Sequence, residues 1–299
     1  MDSANAASAA SSKSKSSLAQ RLISALALLP LLIVLVWWSV WAVVVGIAVG
    51  MVIALIELYG AFRQGGYEPR VAVGVGVALA VLLAMSLQAI AAVDLVLPVV
   101  TLAIIAGLVA ELPRSREAGV LPAWGLTLAG ALYLSLLAGH IILLRALDTP
   151  LEGGIFAPLH LTIAPGAAWI YFVLAITWVQ DTAAYFVGRA LGRHKMAPVL
   201  SPKKTWEGAA GGLIGSILAG VVCVPLLGLP ITLVQAGLLG LVGGVAGPLG
   251  DLSESLIKRQ VGLKDAGNLI PGHGGVLDRA DSMLFTFPVL YYLIKLLAA

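Results

Sequence analysis

The sequence predicts an all-α polytopic membrane protein. Its composition is 60% hydrophobic and only 11% charged. Its mean hydropathy of +1.01 lies above the range of soluble globular chains. Its apolar residues come in long runs with short polar connectors, matching the roughly 20 apolar residues a helix needs to cross the hydrocarbon core. The net charge of +3 decides little; the placement of the cations decides more. Cys223 is the one cysteine and lies in an apolar run. That excludes a disulfide framework and a thiolate metal site, and Cys223 reads as a small buried apolar residue. Short scattered basic loops, rather than one basic stripe, argue against nucleic acid as a partner.

Residues 1–20, rich in Ala, Ser and Asn with Lys13 and Lys15, read as a disordered cytosolic tail. Nine candidate spans follow, at 22–38, 40–61, 71–92, 95–111, 119–144, 167–188, 208–228, 231–250 and 283–298. Pro30 lies inside the first. Trp37 and Trp38, rather than a small-residue cleavage site, follow that run, so it reads as an uncleaved span with tryptophans at the interface. The glycine-rich spans 208–228 and 231–250 predict close helix packing.

With the N-terminus in the cytosol, the inside segments are 1–21, 62–70, 112–118, 189–207 and 251–282. They hold all of the 18 Lys and Arg residues except Arg145 and Lys295. This asymmetry supports both the count and the orientation. The longest outside loop, 146–166, contains Asp148, Glu152 and His160 and reads as a solvated connector.

The polar residues around the last spans carry the chemistry. In Gly247-Pro248-Leu249-Gly250-Asp251-Leu252-Ser253-Glu254-Ser255, a helix continuing to about Arg259 puts Asp251, Ser255 and Lys258 on one face. At a rise of about 1.5 Å per residue, Asp251 lies about 10 Å inward of Lys258. A carboxylate at that depth needs a polar cavity, a cation or a metal. Asp181 lies about 12 Å inward of Arg189 by the same count. Together they imply a polar cavity open to the cytosol, with Glu57 as a further lining candidate. For Asp181 and Glu57, a hydrogen-bonded helix-packing role is the alternative.

The loop Ser201-Pro202-Lys203-Lys204-Thr205-Trp206-Glu207-Gly208 brings adjacent lysines and a hydroxyl to a helix start, a pattern suited to a polyphosphate. It is not a Walker A loop, and positive-inside anchoring is the alternative for its lysines. The stretch 255–281 adds Lys258, Arg259, Lys264, Asp265, His273, Gly274, Gly275, Asp278, Arg279 and Asp281. Anchoring accounts for its cations but not for its carboxylates, its histidine or its paired glycines. Gly274-Gly275 offers backbone that can approach a phosphate closely. Carboxylates beside cations suit magnesium-assisted phosphate chemistry. Four histidines and one cysteine show no zinc-ligand spacing.

These segments resemble the phosphatidate cytidylyltransferases (CDP-diacylglycerol synthases). The similarity is carried by Ser255-x-Ile257-Lys258-Arg259-x4-Lys264-Asp265-x-Gly267-x2-Ile270-Pro271-x-His273-Gly274-Gly275-Val276-x-Asp278-Arg279-x-Asp281, which runs without a gap. Ala280 departs from it, where the family has a larger apolar residue or Thr. Asp181-Thr-x-Ala-Tyr-Phe-x-Gly-Arg and Ser201-Pro-Lys-Lys-Thr-x-Glu-Gly are similar as well. The likeness is sharp over 178–282 and general over 22–170.

The resemblance implies transfer of CMP from CTP to phosphatidate, giving CDP-diacylglycerol and pyrophosphate. It implies magnesium at Asp251 and Asp278, with potassium as a further candidate beside it. Lys264, Arg279 and His273 join those two carboxylates in the catalytic group. Ser201, Lys203, Lys204, Thr205, Glu207 and Asp181 are assigned to CTP, and Ser255, Lys258 and Arg259 to phosphatidate. The expected arrangement is a set of N-terminal transmembrane helices over 21–166 and a catalytic transmembrane region over 167–299. The expected setting is a bacterial cytoplasmic membrane with the site on the cytosolic face, and a homodimer is a candidate assembly. The residues leave open a CTP-dependent kinase of a lipid alcohol, or an ion-coupled transporter built on Asp181 and Glu57.

Overall fold

A computed structural model describes residues 29–155, 163–264, 267 and 274–297. The chain runs α1 (Leu29–Trp38), α2 (Val40–Gln64), α3 (Val71–Ala91) and α4 (Val96–Val109), with a short 3-10 turn at Leu112–Arg114. It continues through α5 (Val120–Arg145) and α6 (Pro165–Leu191) to a hairpin of β1 (Lys195–Ala197) and β2 (Ser201–Thr205). It ends in α7 (Trp206–Leu227), α8 (Leu233–Gln260) and α9 (Leu277–Leu297). Helices α2 to α9 are long and apolar enough to cross a membrane, α4 together with its 3-10 turn. The chain is therefore an all-α polytopic membrane protein. Of the expected first span, 22–38, the described part is the short helix α1; the tail 1–20, His160, Asp265 and His273 lie outside the described residues.

Two helices outrun their apolar spans and one connector carries structure of its own, each for a physical reason. Helix α8 runs past the apolar span ending at 250 to Gln260, about as far as the spacing of Asp251, Ser255 and Lys258 implies, because the polar residues of its last turns pair with one another. Helix α9 begins at Leu277 rather than 283, because Asp278 and Asp281 find partners inside the protein. The connector 189–207 contains the antiparallel hairpin, with Lys195 opposite Thr205 and Ala197 opposite Ser201. Strands that short, carrying Lys and Pro, show no alternating apolar pattern.

Apolar side chains cover the outside as well as the core, as lipid contact requires. Trp38 is 80% exposed and Leu97 74% exposed, while Trp169, Phe172, Tyr59 and Phe287 are fully buried. Helix α4 buries only Ala103 and Gly107 and so lies at the edge of the bundle. Helices α6, α7 and α8 pack through small residues. A Cβ at Gly212 would stand 2.9 Å from the Gln180 carbonyl oxygen, one at Gly220 2.6 Å from that of Ala236, and one at Gly240 2.5 Å from that of Ser216. Lipid tails are as apolar as leucine, so close backbone approach does the associating here.

The connectors expected on the cytosolic side meet at one end of the bundle. Glu111 joins Arg70 (3.0 Å) to Arg114 (3.4 Å), bringing 62–70 to 112–118. Gly65 packs against Val261, and Lys204 pairs with Asp251. At the other end, the 146–155 segment docks on α7, with Glu152 N–H donating to Gly228 O at 2.7 Å and Ile155 N–H to Pro225 O at 2.9 Å.

Two measurements check this packing. In a Cys223→Ser background, cysteines placed at Ser115 and at the exposed Val199 should label from one side of sealed vesicles, and one at Glu152 from the other. Gly240→Ala should lower the melting temperature in detergent by an amount equivalent to about 1–3 kcal/mol, whereas Gly237→Ala, whose Cβ would find its nearest atom at 3.8 Å, should leave it nearly unchanged.

Candidate active site

The last turns of α8 present Asp251, Glu254, Ser255 and Lys258 on one face, as their spacing dictates. Lys258 is the centre of this face. Its ammonium lies 2.6 Å from Asp278 Oδ1 on α9 and 2.9 Å from Glu254 Oε1 one turn back. All three are sequestered, with side-chain exposures of 12% for Lys258, 9% for Asp278 and 0% for Glu254. Asp278 Oδ2 accepts the Gly275 N–H at 2.9 Å. Glu254 Oε2 is buried and, among the described residues, accepts no hydrogen bond.

A second ion pair lies beside the first. Lys204 Nζ sits 2.8 Å from Asp251 Oδ2 and 3.4 Å from the Pro248 carbonyl oxygen. The Ser255 hydroxyl approaches Asp251 Oδ1 at 3.4 Å. The hairpin delivers Lys204 because its base is held rigidly. The Thr205 side chain accepts the Gly208 N–H at 3.2 Å and caps α7. The Glu207 carboxylate accepts the backbone N–H groups of Arg193 at 3.1 Å and His194 at 3.2 Å, and also meets the His194 ring. Thr205 and Glu207 thus shape the loop that carries the lysine.

Helix α6 supplies Asp181, which is exposed on its helix and within electrostatic reach of Asp251 and Lys204. Its neighbour Gln180 packs against Gly212 and Gly247, which places this turn of α6 against both α7 and α8. Asp281 on α9 is within reach of Asp251, Asp181 and Lys258, and its carboxylate accepts the Ser282 N–H at 2.6 Å. Gly250 allows this meeting, since a Cβ there would stand 2.5 Å from the Asp281 carbonyl oxygen.

Among the described residues, the structure therefore gathers Asp181, Lys204, Asp251, Ser255, Lys258 and Asp278 from the positions the sequence marks. Lys203, Lys264 and Arg279 are exposed. Arg259 is exposed and donates to the Leu263 carbonyl at 2.8 Å, closing the end of α8. Ser201 lies in the hairpin opposite Ala197. Asp281, marked in the 255–281 stretch, joins the gathered residues, and the structure adds Glu254. Hydropathy gives no sign of Glu254, but it stands i+3 from Asp251 and i−4 from Lys258. Helical spacing is the signal that finds it.

Carboxylates outnumber ammonium groups in this cluster, so it favours a further cation. Its donors are all oxygens, the ligand type magnesium prefers. No set of three or more His, Cys, Asp and Glu among the described residues forms a ready-made metal cage. That combination suits an ion held by one or two carboxylates and completed by substrate phosphates.

Comparison with known proteins accords with this geometry. The profile of the Cytidylyltransferase family matches residues 19–297, nearly the whole chain. The chain belongs to the cytidylyltransferase family. It is 44% identical over 131 residues to a phosphatidate cytidylyltransferase of Bacillus subtilis, covering 44% of this chain and 49% of the relative. It is 41% identical over 178 residues to one of Brucella suis, covering 57% of this chain and 55% of the relative. It is also 47% identical over 133 residues to the uncharacterized protein YnbB of Escherichia coli, covering 44% of each chain. The chain spans about half the length of the curated relatives it matches.

The Lys258 ion pairs are open to a stability test. Lys258→Met leaves Glu254 and Asp278 buried without their cation and should destabilise by about 3–5 kcal/mol, read as a fall in melting temperature in detergent. Adding Glu254→Gln to that variant should recover part of the loss, because one of the stranded charges is then gone.

Proposed function

We propose that this protein transfers CMP from CTP to phosphatidate, releasing pyrophosphate and forming CDP-diacylglycerol. The observation that carries the reading is the convergence of Lys204, Asp251, Lys258 and Asp278 from three separate segments at one end of the bundle. Membership of the cytidylyltransferase family and the names of the Bacillus subtilis and Brucella suis relatives support it.

The chemistry suits such a site. The nucleophile is a phosphate oxygen of phosphatidate, already ionised near neutral pH, so no strong general base is needed. The difficulty is to bring two anions together and align attack on the α-phosphorus of CTP. Lys204, on its rigid hairpin, would hold the triphosphate together with the exposed Lys203. Lys258 and Arg259 would meet the phosphate of phosphatidate. Asp251 and Asp278 are the residues that would hold magnesium, with Asp281 close to Asp251. When bound, that ion would neutralise phosphate charge and stabilise the departing pyrophosphate. The positive-inside asymmetry supports a cytosolic position for this end of the bundle; CTP would then arrive from water while the lipid enters sideways from the inner leaflet.

A kinase acting on a lipid alcohol would need a base for a hydroxyl nucleophile and attack at the γ-phosphorus. A transporter would place its charges near the midplane of repeated halves, whereas the cluster here lies at one end.

Purified protein given CTP, phosphatidate and magnesium should yield CDP-lipid and pyrophosphate, with label from α-labelled CTP in the lipid. Label from the γ-phosphate in the lipid would overturn the assignment. Asp278→Asn should reduce turnover by roughly a hundredfold or more while the protein stays folded. Near-normal turnover of that variant at saturating magnesium would remove Asp278 from the metal site.

A further inference from the structure

Glu57 lies within the membrane span of α2, far in sequence from the segments that carry the family resemblance. Its Oε2 accepts the backbone N–H of Leu277, the first residue of α9, at 3.0 Å. Glycines of the 255–281 stretch close in on both of its oxygens. A Cβ at Gly267 would stand 2.6 Å from Oε1, and one at Gly275 would stand 2.6 Å from Oε2. Oε1 is buried and, among the described residues, accepts no hydrogen bond.

A carboxylate within a span is costly, and a helix N-terminus is usually capped by a residue next to it in sequence, Ser, Thr, Asp or Asn. Val276 stands before α9 instead, and a carboxylate from α2 takes the N–H of Leu277. The negative charge sits at the positive end of the helix dipole. The next residue, Asp278, is then held twice. Its backbone follows the tethered Leu277 N–H, and its side chain is fixed by Lys258 and the Gly275 N–H. Gly275 therefore also serves tight packing against Glu57, beyond the flexibility its sequence suggests.

We propose that Glu57 is a positioning residue for the transfer reaction. It caps α9 from α2 and thereby sets where Asp278 and Asp281 stand relative to Asp251. The N-terminal helices are by this route part of the catalytic apparatus rather than a separate anchor. The proposal rests on the cytidylyl-transfer reading for its kinetic consequence, but not for its structural one.

The test compares full-length Glu57→Ala, Glu57→Gln, Gly275→Ala and the Glu57→Ala/Gly275→Ala double variant in detergent. Misplacement of a catalytic carboxylate by about 1 Å costs on the order of a hundredfold, so Glu57→Ala should lower kcat by about that factor. Its KM for CTP should change by less than about threefold. Glu57→Gln keeps an acceptor for the Leu277 N–H and should retain most of kcat. Gly275→Ala should lower kcat alone, but by less than about threefold once Glu57 is already Ala, since the clash has gone. Amide hydrogen exchange over 275–284 should quicken in Glu57→Ala and return toward normal in Glu57→Gln. Wild-type kcat and exchange in Glu57→Ala, or fully additive losses in the double variant, would overturn the proposal. If the unaltered protein makes no CDP-lipid, the transfer reading fails, and the exchange pattern alone then decides whether Glu57 sets the start of α9.

Discussion

One buried ammonium group, that of Lys258, holds the end of α8 to the start of α9. Taking it from water is unfavourable, and so is burying Glu254 and Asp278; only together do the three compensate. The consequence is geometric. Helix α8 continues as helix beyond its apolar run so that Lys258 stands one turn from Glu254. Helix α9 starts early so that Asp278 reaches it. Asp251 and Asp281 then fall on the facing surfaces of these two extensions, and Gly250 lets the surfaces meet. A hydropathy profile ends both spans where charge begins, yet in this bundle the charge is what prolongs the helices.

The arrangement depends equally on residues that contribute no side chain. In lipid, helices gain little by hiding apolar surface from one another, and association follows from how closely the backbones approach. Gly212, Gly220 and Gly240 remove the side chains that would keep α6, α7 and α8 apart. Close packing of α6 on α7 brings Asp181 toward the hairpin, and close packing of α7 on α8 brings Lys204 within reach of Asp251. The contacts of Asp181 and Lys204 with α8 thus rest on glycine contacts deeper in the bundle.

For the phosphate site we propose, the resulting cluster is unusual, being richer in carboxylates than in cations among the described residues. A plain anion-binding pocket would show the reverse. An excess of oxygen donors suits a reaction in which anions are joined through a cation they share with the protein. Lysines already held by carboxylates are also pre-organised, because their long side chains need not be ordered when a phosphate arrives.

Much of this was legible in the sequence. Eight of the nine expected spans, and the meeting of the basic connectors at one end, follow from hydropathy and from the placement of Lys and Arg, since the energy of burying charge in hydrocarbon leaves few alternatives. Asp181, Asp251 and Asp278 stood out because a carboxylate near an apolar span demands a reason, whereas Lys204 and Lys258, which anchoring alone could explain, stood out through the motifs around them. Tertiary structure alone decided the partners. Nothing local shows that Lys204 meets Asp251, that Thr205 and Glu207 brace a hairpin, or that Glu57 reaches the first turn of α9. Apart from the local Thr205 cap, those contacts join residues from 13 to 220 positions apart. Helix packing sets them, through glycine-mediated approach that leaves no periodic signal in the chain.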